Sequence, residues 1–293
     1  MGVFYGISLR KMTRLLHYPS AALQYGCLYG FTHRPIAGHW LCASGSKDSV
    51  FTSIDSMKPK PVTDIVIIDE PERCPYLPDQ IARMPLRMPL TKITPAETDR
   101  RLAQGHRRTG EFIYQTHCPN CKACEPLRVD ISEFRFSKNQ RRIMRRGDRK
   151  FCQRINEMRG DQARTDLFNL HRRQRNLAKR DTDIDQEEYV WGFVKSCFKS
   201  FEMTYWIDDR LVGVAICDLG LKAMSAVYTF YDPAIKGDSI GTYSILKQIQ
   251  HCKQERLRFL YLGYYVDGCS HMTYKSRFKP NDRLVDGQWI RFE

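Results

Sequence analysis

The sequence predicts a mixed α/β chain of the α+β kind, built on an antiparallel meander that hands over to a helix and one more strand. Three observations predict it. Residues 203–207, 211–219 and 223–231 are strand-like runs separated by the turns Asp208-Asp209-Arg210 and Gly220-Leu221-Lys222. From Thr242 to about Arg256, Ile245, Leu246 and Ile249 fall on one face of a helix. Phe259–Leu262 then reads as a short apolar strand.

The elements before the meander follow the same logic. Ile65-Val66-Ile67-Ile68, within Asp64–Asp69, reads as a buried strand. Pro95–Gly105 reads as a helix, with Thr94 as N-cap, Glu97 three residues on and Gly105 as its stop. Phe112–Gln115 is a strand entering a cysteine cluster, and Leu127, Val129 and Ile131 alternate inward along the next. Asn139–Asn156 reads as one very basic helix, and Asp166–Arg175 and Gln186–Phe198 as two more. Residues 1–56 mix Gly, Ser, His and aromatics without period, and Met57 opens a Met-Lys-Pro-Lys-Pro run. They read as an extension, with Met57 the expected natural start. Residues 57–130 are then expected to form a cysteine-containing domain and 131–293 the catalytic one.

Composition narrows the function. Across 293 residues, 47 Lys and Arg stand against 33 Asp and Glu, a formal charge of +14, and 42% of residues are hydrophobic. That core excludes wholesale disorder, and the charge favours an anionic partner. The excess is local, since residues 128–180 hold 17 basic and 6 acidic side chains. No stretch suits a membrane span or a secretory leader, so a cytoplasmic protein with no membrane partner is expected. Eleven cysteines in that setting are expected to be reduced, some of them binding metal.

Within the basic segment, Arg142, Arg145, Arg146 and Arg149 share a helix face, with Arg141 alongside. Packed guanidiniums need solvent or phosphates, so these five are the expected nucleic-acid contacts. Cys118, Cys121 and Cys124 form a C-x2-C-x2-C run, and Cys74 can supply a fourth thiolate to iron–sulfur or zinc. Tyr228, Phe230 and Asp232 share a strand face that serves either as core packing or as an active-site edge. The three-strand, helix, strand order is similar to that of GNAT-like acyltransferases. An acetyl-CoA-dependent N-acetyltransferase is therefore one reading, although Asp238 in the Lys236–Gly241 loop opposes a pyrophosphate. A metal-stapled RNA-binding regulator is another, and it leaves the C-terminal half without a task.

Taken in order, several motifs resemble the bacterial aspartate/glutamate leucyltransferases, relatives of the arginyl-tRNA–protein transferases. They are Cys74-Pro75-Tyr76-Leu77-Pro78, Arg107-Arg108-Thr109-Gly110-Glu111-Phe112, His117-Cys118 through Cys124 to Val129, Gln140-Arg141-Arg142, Ser225–Pro233, Tyr261-Leu262-Gly263-Tyr264, and Cys269 to Pro280. The resemblance spans roughly 64–290 and omits 1–56. It implies a GNAT-like fold with an N-terminal cysteine-containing subdomain, and transfer of leucine from Leu-tRNA to the α-amine of proteins starting with Asp or Glu, marking them for degradation. An arginyl donor is the alternative within the family. No cofactor is needed for the chemistry, and the cysteines match positions that eukaryotic relatives associate with an iron–sulfur cluster. Carried over by position, Tyr228, Tyr231 and Asp232 are the expected catalytic edge, and Tyr274 and Lys275 the expected substrate contacts. Where many members carry Arg-His, this chain has Arg175-Asn176.

Overall fold

The computed structural model describes residues 63–177, 182–235, 237 and 239–293. The extension and the start at Met57 lie outside the described residues. In chain order the elements are β1 (Asp64–Ile68), β2 (Glu72–Arg73), β3 (Ile81–Ala82), β4 (Leu86–Pro89), α1 (Pro95–Ala103), β5 (Arg107–Thr109), β6 (Phe112–Tyr114), β7 (Cys124–Asp130), α2 (Lys138–Lys150) and β8 (Cys152–Asn156). They continue with α3 (Gln162–Gln174), α4 (Gln186–Tyr189), β9 (Lys199–Ile207), β10 (Arg210–Leu219), β11 (Ala223–Tyr231), α5 (Ile240–Gln254), β12 (Phe259–Val266), α6 (Ser270–Thr273), β13 (Asn281–Val285) and β14 (Gln288–Phe292).

The predicted meander is the middle of an eight-stranded sheet ordered β14-β13-β7-β12-β11-β10-β9-β8. Its pairs are antiparallel except β11 with β12, which α5 joins by a crossover. Helices cover both faces, which is why β10 is apolar almost throughout rather than alternating with polar residues. On one face Ile143, Tyr243, Leu246 and Ile249 pack with Met203, Tyr205 and Val129. On the other, Phe168, Tyr189 and Phe193 pack with Val214, Ile216, Tyr228 and Phe230. This mixed α/β architecture, a meander followed by a helix and a strand parallel to its last member, is the expected one. The boundary placed at residue 130 falls at the end of β7, a strand inside the large sheet.

A smaller sheet, β1-β4-β6-β5, carries the residues before β7. Its strand β5 is tied to the large sheet by two buried arginines. Arg108 Nε donates to both Asp218 carboxylate oxygens at 2.9 Å, and Arg107 reaches β11.

Three expectations are corrected. The basic helix stops at Lys150, where Phe151 turns extended and its N–H caps Gly147; residues 152–156 instead add β8 to the open edge of β9. Segment 186–198 is helical only to Val194, the last turn being a π-turn, and Lys195 is extended. Finally, β1 is an edge strand rather than a buried one, with Ile65 and Val66 about half exposed (44% and 47%). The Thr94 cap is observed, its hydroxyl accepting from the Glu97 N–H at 3.2 Å.

Candidate active site

Strands β11 and β12 stay paired for only three residues, Ala223–Ser225 against Phe259–Tyr261, and then diverge. Two features hold them apart. Gly263 sits at a register shift in β12 with φ +85°, a conformation that disfavours any side chain. The Arg107 guanidinium fills the mouth of the split, donating to Ser225 Oγ at 2.7 Å and to the Ala226 carbonyl at 2.9 Å. It satisfies the acceptor that the lost ladder leaves behind. A Cβ on Gly263 would lie 3.3 Å from Arg107 Nη2, so the glycine and the arginine need each other.

Beyond that plug the split opens into a cavity of about 440 Å³. Val227, Ile235, Ile240, Ile245 and Leu262 give it an apolar wall. Tyr228, Tyr231, Tyr274, Thr229 and Thr242 also line it. Arg175 is the one Lys or Arg among its described lining residues, and none of them is Asp or Glu. The first turn of α5 borders the cavity as well. Its N-cap, Ser239, is left-handed (φ 50°) and makes no side-chain cap hydrogen bond. Ser239 therefore leaves the N–H groups of that turn without a side-chain cap of its own.

The structure separates the expected site residues into two groups. Tyr228, Tyr231 and Tyr274 line the cavity together. Burial, then the neighbouring Tyr231 hydroxyl, push the Tyr274 phenol well up, so it stays a protonated donor. The Tyr231 ring lies against the first turn of α5, where a Cβ on Gly241 would be 3.3 Å from it. Asp232 and Lys275 are not among the lining residues. Asp232 accepts from Arg210 Nη1 at 2.7 Å and from the Ala234 N–H at 2.9 Å, closing the turn after β11. Lys275 is completely buried, and its ammonium donates to the Tyr264 carbonyl at 2.6 Å. Burial, with Arg107 adding to it, pulls the Lys275 ammonium down to about 7.

Sequence reading missed His171, the one histidine of α3. It is fully buried on α3, its ring 4.6 Å from that of Tyr231, with Nδ1 2.9 Å from the Tyr231 carbonyl. Burial pulls it down to about 4, and it pulls His106 on the small sheet's side down equally far. Both folded values lie below the unfolded value of about 6.5. The unfolded chain therefore binds more protons between pH 6.5 and 4, and stability falls as pH drops through that window. At pH 5 the penalty is roughly 2 kcal/mol per histidine. Urea unfolding at pH 8 and pH 5 checks this: His171→Gln is expected to narrow the difference by roughly that amount, and an unchanged difference refutes it.

The expected metal ligands are neighbours. Cys118 and Cys124 are each pushed up by burial and then by the charges of the other cysteines in the set, Cys124 to about 12. Four soft thiolate donors suit zinc or an iron–sulfur cluster in kind. Yet among the described residues no group of three or more His, Cys, Asp or Glu is arranged to hold a metal ion.

The basic face of α2 is exposed at Arg141, Arg142, Arg145 and Arg149, while Arg146 is half-buried. Ile143 and Gly147 face α5, and a Cβ on Gly147 would come within 2.3 Å of the Tyr243 ring. The helix's own acid, Asp148, is engaged by the Tyr243 hydroxyl at 2.9 Å and Lys247 at 3.2 Å. Arg141, Arg142, Arg145 and Arg149 consequently make no ion pair with a described residue. No helix among the described residues is long and apolar enough to cross a membrane.

Known proteins match this arrangement along most of its length. Residues 72–142 match the family described as arginine-tRNA-protein transferase, N terminus, and residues 163–285 match its C terminus. An aspartate/glutamate leucyltransferase of Acinetobacter baumannii is 34% identical over 229 residues, covering 76% of this chain and 83% of the relative. Those of Marinobacter nauticus and Thiobacillus denitrificans are 32% and 34% identical, each over 75% of this chain and 92% and 91% of their own. With both halves of the family matched in order, and relatives covered almost end to end, the chain belongs to the aspartate/glutamate leucyltransferases of the arginine-tRNA–protein transferase family.

Proposed function

We propose that this chain moves leucine from Leu-tRNA to the α-amine of proteins beginning with Asp or Glu, in the cytoplasm and as a step toward their degradation. The amine nitrogen attacks the ester carbonyl, the bond to the ribose oxygen breaks, and that oxygen takes up the proton the amine releases. No acyl-enzyme is required, and much of the rate comes from holding the two substrates in line. Tyr231 and Tyr274, with the α5 N–H groups, are the donors placed to hold the transient oxyanion. Tyr228 shapes the wall, Asp232 fixes the turn that follows Tyr231, and Lys275 anchors β12 from below.

The observation that carries the leucyl assignment is the cavity wall. Val227, Ile235, Ile240, Ile245 and Leu262 suit a branched aliphatic side chain. An arginyl guanidinium would find no carboxylate among the described lining residues. We assign tRNA backbone binding to the α2 arginines. A structural zinc or cluster on Cys74, Cys118, Cys121 and Cys124 would need these four thiols to converge further than they do here, and it would take no part in the transfer; metal analysis of protein purified without oxygen tests that.

Purified chain is given charged tRNA and peptides starting with Asp, Glu or Ala. Leucine is expected on the Asp and Glu peptides and not on Ala. Transfer of arginine instead would leave the class and move the donor. Acetyl transfer from acetyl-CoA alone, or tRNA binding with no transfer, would overturn the reading.

A further inference from the structure

The acceptor is defined by a carboxylate next to its α-amine, so the site needs a cation within reach of the attacking nitrogen. Arg175 is placed to be that cation. It is exposed, lines the cavity, and its side chain makes no hydrogen bond or ion pair with a described residue. Three other arginines are committed elsewhere: Arg107 to Ser225 and Ala226, Arg164 to Glu202, and the exposed Arg210 to Asp232. His271 is the other basic residue of the lining.

Position supports the choice. Arg175 caps the C-terminus of α3, and its N–H still bonds the His171 carbonyl one turn back at 3.0 Å. It therefore sits over the same helix face as His171, which touches Tyr231 through ring and backbone. Arg175 and Tyr231 line the same cavity, so a carboxylate held by Arg175 would share it with Tyr231 and with the apolar wall that suits leucine. We infer that Arg175 is the specificity residue that reads the N-terminal Asp or Glu side chain of the acceptor. This rests on the proposed transfer reaction and names the residue that selects its second substrate. The planar guanidinium can donate two hydrogen bonds to either carboxylate, and the neutral amides Asn and Gln fill the same space without the charge.

The test measures leucine transfer to peptides that begin Asp, Asn, Glu or Gln and are otherwise identical, using wild-type chain, Arg175→Gln and Arg175→Lys. Loss of a charged hydrogen-bond pair lowers kcat/KM for Asp and Glu peptides by roughly 10- to 150-fold, the loss reading mainly in KM. The Asp-over-Asn ratio is expected to fall to within about threefold of unity in Arg175→Gln and to recover in part in Arg175→Lys. Binding of Leu-tRNA, measured separately, shows that the variants remain folded and charged-tRNA competent. Wild-type discrimination retained in full by Arg175→Gln would overturn the assignment while leaving the transfer reaction standing. Wild-type chain that transfers no leucine, or transfers it equally to acidic and amide peptides, would overturn the transfer reading and this assignment with it.

Discussion

Arg108→Met is expected to destabilise the fold by about 3–5 kcal/mol, because it strands an ionised carboxylate with no counter-charge. The Arg108 and Asp218 side chains are 1% and 2% exposed, and among the described residues the Asp218 carboxylate has only Ser200 Oγ, at 2.6 Å, as a further side-chain donor. The pair also joins β5 of the small sheet to β10 of the large one. Losing it therefore loosens the small sheet's attachment as well as costing desolvation. The attraction itself is not what makes the substitution severe; the abandoned charge is. Arg108→Met combined with Asp218→Leu should accordingly recover most of the loss, since replacing a whole buried pair with apolar groups is close to neutral. Urea unfolding of the two single variants and the double variant measures this. A cost below about 1 kcal/mol for Arg108→Met alone would refute this account.

That pair also shows what was legible in the sequence. Arg107-Arg108 stands out as a motif, yet nothing local says that one arginine plugs a split between strands and the other bolts two sheets together. Both partners lie more than a hundred residues away. Regular elements with strong periodicity were readable: the meander, the crossover helix, the capped helix after Thr94. The errors fell where tertiary contact overrides local pattern. Cys152–Asn156 continues a basic helical stretch in sequence and becomes strand because β9 offers an unpaired edge. The hairpin of β13 and β14 was missed although Asp286-Gly287, both at positive φ, is the turn signal that marks it.

For the site, the tyrosines were readable because Ser225–Pro233 is a distinct run. The direction each side chain takes was not. Tyr231 and Tyr274 turn to the cavity, whereas Asp232 and Lys275, one residue further on in each case, turn to the backbone. The shift at Gly263 and the short pairing of β11 decide which side chains meet the cavity. Those are properties of two strands together. His171 and Arg175 were missed as a pair because their significance comes from Tyr231, sixty residues away in the case of the His171 contact.

Replacing Arg141, Arg142, Arg145 and Arg149 together by Gln is expected to weaken Leu-tRNA binding by roughly 200- to 1,000-fold at 0.15 M salt. Arg146 is left in place because it is half-buried and has partners within the fold. The four others share the outer side of α2, and the Asp148 carboxylate that might have neutralised them is held by α5. Their charges are thus displayed outward while the helix is held inward by Ile143 and Gly147. Each phosphate neutralised by such a guanidinium releases condensed counterions, and that release is the binding free energy. Removing four contacts should therefore lower the steepness of log K against log salt by about 3 as well as lowering K. Gln keeps the helix propensity close to that of Arg, so the loss is not a melted helix. Transfer follows the same rule: KM for Leu-tRNA rises steeply, and turnover at saturating tRNA is largely restored. A weaker K with an unchanged salt slope would mean that these arginines position the helix rather than meet phosphates.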